Sequence, residues 1–138
     1  MIKILIATHG DFAKGALSAA RIIAGDKNNV TCINAYTESK NLKVAIEAYI
    51  KNITKEDEVI ILTDLFGGSV NQTIMQCIQQ ANIYVITGFN LALLLEIVML
   101  DEQASITEIQ LRNLVEASKS QTMYVNDVIQ VTNEDDFD

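Results

Sequence analysis

Short apolar runs alternate along the chain with stretches whose apolar positions recur every three or four residues. Residues 2–8 carry Ile2, Ile4, Leu5 and Ile6 with little polar interruption, which predicts a strand buried on both faces. In residues 11–24, Ala13, Leu17, Ala20 and Ala24 are spaced as one face of a helix, and Gly25 ends it. The alternation continues with strands at 30–36, 58–65 and 83–87, and helices at 41–53, 69–80, 90–100 and 106–120. The helix at 41–53 places Leu42, Ile46, Tyr49, Ile50 and Ile53 on one stripe. That at 69–80 opens on Ser69, a residue type suited to an N-cap. That at 106–120 turns Ile106, Ile109, Leu114 and Ala117 inward. Residues 123–131 read as a last strand, with Tyr124, Val128 and Ile129 in an imperfect alternation.

Repeated strand–helix–strand units with apolar strands imply an α/β fold, a doubly wound parallel sheet with helices on both faces and right-handed crossovers. The first strand is expected to be central. In such sheets, sites form at the carboxyl ends of the strands, where the strand order reverses.

Composition agrees with a single globular domain. The chain has 138 residues, 49% hydrophobic and 20% charged, so it holds core enough to fold without staples. Proline is absent and the glycines sit at joints between elements. The domain is expected over residues 1–132, with 133–138 an acidic tail that repels itself. A net charge of −8 with only 10 Lys and Arg argues against nucleic acid or anionic lipid as partners, since both need a basic face. Cys32 and Cys77 lie in apolar surroundings and read as two buried thiols of a reducing compartment. No stretch approaches the roughly 20 apolar residues of a membrane span, and the N-terminus reads as a strand rather than a signal peptide. A cytoplasmic location is expected.

The carboxyl ends of the strands carry the candidate chemistry. The first strand runs out into Thr8-His9-Gly10-Asp11, and the third into Thr63-Asp64-Leu65-Phe66-Gly67-Gly68-Ser69. If these strands are neighbours, the chain's single histidine, His9, meets Asp64. A carboxylate on Nδ1 would fix the ring's tautomer, leave the Nε2 lone pair free, and stabilise the cation formed when Nε2 attacks. Two helices begin at the same rim, and their free amides and positive dipole ends suit phosphate. Gly67 and Gly68 allow close backbone approach, and Ser69 adds a hydroxyl donor. Taken together, these groups suggest phosphoryl transfer through phosphohistidine. Each group also has a plain structural reading: Asp64 as a turn residue, Gly67-Gly68-Ser69 as a loop leading into a helix, and Asp11 as a first-turn acid.

The sequence resembles the enzyme IIA domain of the mannose/fructose/sorbose family of the bacterial phosphoenolpyruvate-dependent sugar phosphotransferase system. The resemblance is carried by Ile6-Ala7-Thr8-His9-Gly10, by Leu62-Thr63-Asp64-Leu65-Phe66-Gly67-Gly68-Ser69, and by the Gly–x–Asn–hydrophobic segment from Thr87 to Glu96. Where many members have proline after the loop serine, this chain has Val70. The resemblance implies four parallel strands in the order 2-1-3-4 and a fifth, antiparallel strand exchanged between two subunits, for which residues 123–131 are the candidate. It implies that His9 accepts a phosphoryl group from the phosphocarrier protein HPr and passes it to enzyme IIB for coupled sugar uptake and phosphorylation, with the membrane components IIC and IID as indirect partners. Asp64 would hold Nδ1, with Ser69, Gly68, Gly67 and Gly10 around the phosphate. Phe12 and Phe66 would form a docking collar. No metal or cofactor is implied.

Other classes remain open to the residues alone. A receiver-like switch would phosphorylate Asp64, but the acidic pair such modules need after strand 1 is missing. A flavin or nucleotide binder would want a longer phosphate loop than Thr8-His9-Gly10. The phosphotransfer subunit of dihydroxyacetone kinase shares this arrangement, and a regulatory paralogue without activity is a further alternative.

Overall fold

Along a strand, successive side chains point to opposite faces, so a run that is apolar at every position needs cover on both sides. The computed structural model, which describes residues 1–38, 41–78, 80 and 82–129, provides that cover. In chain order the elements are β1 (Ile2–His9), α1 (Phe12–Ala24), β2 (Val30–Ala35), α2 (Leu42–Lys51), β3 (Glu58–Thr63), α3 (Ser69–Cys77), β4 (Ile83–Thr87), α4 (Leu91–Val98) and α5 (Glu108–Lys119). The strands pair in parallel, in the order β2-β1-β3-β4.

Ile4 and Ile6 of β1, with Ile60 and Leu62 of β3, join Leu17 of α1, Leu94 and Ile97 of α4 and Leu111 of α5 in one core layer. Leu5, Ala7, Val59 and Ile61 join Ile46 and Ile50 of α2 and Val70 and Ile74 of α3 in the other. The Ile, Leu and Val side chains of β1 and β3 are fully buried, each contributing about 1.5–3 kcal/mol of hydrophobic stabilisation. This interior fixes the two central strands and therefore the positions of their ends.

Several expectations are corrected. Gly68, not Ser69, caps α3; Ser69 is its first helical residue, which frees the hydroxyl for another partner. α3 stops at Cys77 with extended backbone at Ile78, and the expected continuation to 80 crosses residue 79, outside the described residues. On α5, Leu111 and Ser118 are buried, whereas Ile109 and Ala117 are exposed. Ile106 is buried as expected, but from a position before the cap residue Thr107 rather than on the helix. Cys32 and Cys77 are free and half-buried rather than fully buried, and what burial they have pushes both thiols up.

The expected last strand is not formed over its described part: residues 125–129 make a helical turn, begun by the Asp127 amide donating to the Tyr124 carbonyl at 3.1 Å. Tyr124, Val125, Val128 and Ile129 fit a helical spacing as well as a broken alternation. Residues 130 and 131 of that segment, and the acidic tail, lie outside the described residues.

The chain leaves β1 toward β2 on one side and β3 toward β4 on the other, so the strand order reverses between β1 and β3. Ala7 is in register with Thr63, and His9 with Ala35. The residues that follow β2, β1 and β3 are thereby brought to one rim.

Candidate functional site

His9 is the last residue of β1, and Asp64 follows the last residue of β3. The Asp64 carboxylate accepts the His9 backbone amide on Oδ2 at 3.0 Å. It also holds the same residue's Nδ1, at 3.0 Å from Oδ2 and 3.2 Å from Oδ1. Its Oδ1 accepts the Leu65 amide at 3.0 Å. An ionised carboxylate can only accept, so the imidazole proton belongs on Nδ1 and the lone pair on Nε2. Burial alone would raise the Asp64 carboxyl, but the hydrogen bonds from the His9 amide and ring outweigh it and hold the group below the usual carboxylate value. The Asp64 side chain is only 9% exposed, while that of His9 is 37% exposed. The acid is sheltered and the ring it orients is reachable. Both carboxylate oxygens are committed to the histidine loop, which leaves Asp64 poorly placed to be phosphorylated as in a receiver.

Ser69 stands on the other side of the ring, with Oγ 3.3 Å from Nε2. With the lone pair on Nε2, the hydroxyl is the donor. The first amides of any helix lack intrahelical acceptors, and those of α3, which begins at Ser69, have no side-chain cap to take them. Gly68 admits the ring closely: a Cβ there would sit 3.4 Å from His9 Cε1 and 3.3 Å from the Leu65 carbonyl oxygen. Gly67 makes the turn with φ +72°, a conformation that side chains disfavour.

The other helix at this rim does not offer what was expected of it. The Ala13 amide of α1 donates to Thr8 Oγ1 at 2.7 Å, and the Lys14 amide to Asn34 Oδ1 at 3.1 Å. The Gly10 amide donates to the Ala35 carbonyl at 2.9 Å. These donors stitch β1, β2 and α1 together, so Gly10 serves the turn, at φ +55°, rather than a bound anion. The Gly–x–Asn segment is also structural. Gly88 turns the chain at φ +72°, and Asn90 caps α4 by accepting the Leu93 amide at 2.9 Å. The Asn90 amide group also donates to the Ser118 carbonyl of α5 at 2.8 Å.

Phe12 and Phe66 flank the rim. Phe66 is 86% exposed, and Phe12 is 52% exposed with its ring resting on Phe89 at 5.4 Å. One residue escaped the sequence reading. Tyr36, just beyond β2, has its hydroxyl 2.6 Å from Ser69 Oγ and its ring centroid 5.6 Å from that of His9. The available signal was positional: the residue follows a strand paired with β1.

Comparison with known proteins agrees with this fold. Residues 3–113 match the EIIA-man family model, described as PTS system fructose IIA component. The chain is 29% identical over 129 residues to the PTS system fructose-specific EIIA component of Bacillus subtilis, covering 91% of this chain and 86% of that protein. It is 32% identical over 113 residues to the PTS system mannose-specific EIIAB component of Escherichia coli K12, covering 78% of this chain and only 35% of that longer protein. Among solved structures, the PTS IIA protein associated with the fucose utilization operon of Streptococcus pneumoniae superimposes with a TM-score of 0.79 at 26% identity, covering 93% of this chain and 96% of that one. With the match spanning both β1 and the β3–α3 loop, the chain belongs to the EIIA family of the mannose/fructose type within the sugar phosphotransferase system.

Proposed function

We propose that the protein is a phosphoryl carrier that takes phosphate from phosphorylated HPr onto His9 Nε2 and delivers it to enzyme IIB. IIB would in turn serve sugar uptake through the membrane components IIC and IID. One observation carries the reading: the ring has its Nδ1 held by a sheltered carboxylate and its Nε2 facing a hydroxyl and a helix N-terminus. In the transfer, the Nε2 lone pair forms a new P–N bond while the donor's P–N bond breaks, its electron pair returning to the donor nitrogen. No proton needs to leave, because Nδ1–H stays bonded to Asp64 and the carboxylate balances the ring's new positive charge. Ser69 and the first amides of α3 would receive the phosphoryl oxygens. What remains for the protein is to align the two rings and exclude water, for which Phe12 and Phe66 supply an apolar collar.

The proposal extends to a homodimer that exchanges the segment beginning at Met123, working in the cytoplasm. Among the described residues, no helix is long and apolar enough to cross a membrane. The central test is His9→Ala exposed to phosphorylated HPr. The ring is more than a third exposed, so the fold should survive while labelling vanishes. The label on the unaltered protein should be lost in acid and kept in base. Labelling of the alanine variant, or a base-labile bond, would remove His9 from its role.

A further inference from the structure

Tyr36 stands at the site in a backbone conformation that its side chain resists. Its φ of +71° is the one positive value among the described non-glycine residues. Such a conformation persists where surrounding bonds over-determine it. The turn is pinned by the Glu38 amide donating to the Asn34 carbonyl at 3.2 Å, and by Thr37 Oγ1, whose single proton has two acceptors in reach, Asp11 Oδ1 at 3.0 Å and the same carbonyl at 3.3 Å. Asn34 is itself buried and holds the Lys14 amide. The outcome of this bracing is a phenol 2.6 Å from Ser69 Oγ.

The direction of the hydrogen bonds follows from proton counting. Asp64 takes the Nδ1 proton, so Nε2 can only accept. Ser69 has one hydroxyl proton, and facing Nε2 it gives that proton to the ring. Its oxygen must then accept from Tyr36. We infer that Tyr36 is a positioning residue: its phenol donates to Ser69 Oγ and thereby aims the serine proton first at the resting Nε2 and then at an oxygen of the phosphoryl group bound there. An unassisted serine hydroxyl rotates freely; one that accepts from a phenol on a braced turn loses most of that freedom before the phosphoryl group arrives. The donated bond also polarises the serine O–H, which strengthens its bond to an anion. All protons stay on their own atoms throughout.

The inference rests on the phosphoryl-carrier reading for its second half and on the geometry alone for its first. Tyr36→Phe keeps the ring beside His9 and removes only the hydroxyl. Single-turnover acceptance from phosphorylated HPr should slow by about three- to tenfold, the worth of one neutral hydrogen bond. In a Ser69→Ala background, the same change should cost nothing further, because Tyr36 acts through the serine. In the unphosphorylated protein, the ¹⁵N resonance of His9 Nε2 should move on Tyr36→Phe, and not when Ser69 is already alanine. An equal slowing with and without Ser69 would overturn the inference, as would an unchanged resonance. If His9 in the unaltered protein took no phosphate at all, the carrier reading would fall, while the resonance measurement would still decide the Tyr36–Ser69–His9 chain.

Discussion

A carboxylate that accepts from both the amide and the ring of one histidine controls where the strand ends and which nitrogen is free. Asp64→Asn would set an amide N–H against two donors, or turn its oxygen inward at the cost of the Leu65 contact. Either way the preference for the Nδ1–H tautomer weakens. Acceptance of phosphate should fall by about a hundredfold or more, read as a single-turnover rate; an unchanged rate would show that Asp64 does not orient the ring. The same residue shapes the acid response. Because its folded value lies below its unfolded one, its contribution to stability is fully present above the unfolded carboxylate value and is lost as pH falls through the folded value. Urea unfolding across that acid range should show a smaller loss in the asparagine variant.

At the scale of elements, what was legible in the sequence was whatever burial enforces. The strand at 83–87 is reproduced residue for residue; the apolar runs gave the parallel sheet with a central first strand, and the strand order came from the family resemblance. His9 and Asp64 were legible because a parallel sheet puts the ends of neighbouring strands together. Ser69 was expected both as a hydroxyl donor to phosphate and as the N-cap, and the cap falls to Gly68 instead, since a serine at the start of a helix cannot reveal whether the residue before it already caps. Tyr36 was hidden because its importance lies in a left-handed turn and a distance across the rim, neither of which leaves a periodic trace. The Gly–x–Asn segment shows the reverse case, a family motif that serves packing. Asn90→Ala removes the cap of α4 and the tie to Ser118, so urea unfolding should report a loss of about 1–2 kcal/mol. Transfer per folded molecule should stay the same; a collapse of transfer in a fully stable variant would move Asn90 into the site.

At the scale of the whole molecule, the sheet among the described residues ends in two outer strands, β2 and β4. Beside β4, a groove of about 480 Å³ runs between Tyr84, Val85 and Ile86 and the α5 residues Leu111, Arg112 and Val115. An uncovered edge with an apolar trough is a pairing hazard that natural folds close off. Close by in sequence, Met123, Tyr124, Val125, Val128 and Ile129 are all exposed. Of these, Val125, Val128 and Ile129 sit in the helical turn at 125–129, and pairing along an edge would require that turn to unwind. Extending the segment along the β4 edge of a second copy would satisfy backbone groups and bury apolar side chains at once, and the partner's segment would do the same in return. A chain ending at residue 122 should therefore sediment as a monomer or aggregate, and the full chain should sediment as a dimer. A stable, well-folded dimer from the shortened chain would show that the subunits meet through another surface and that this segment has no part in joining them.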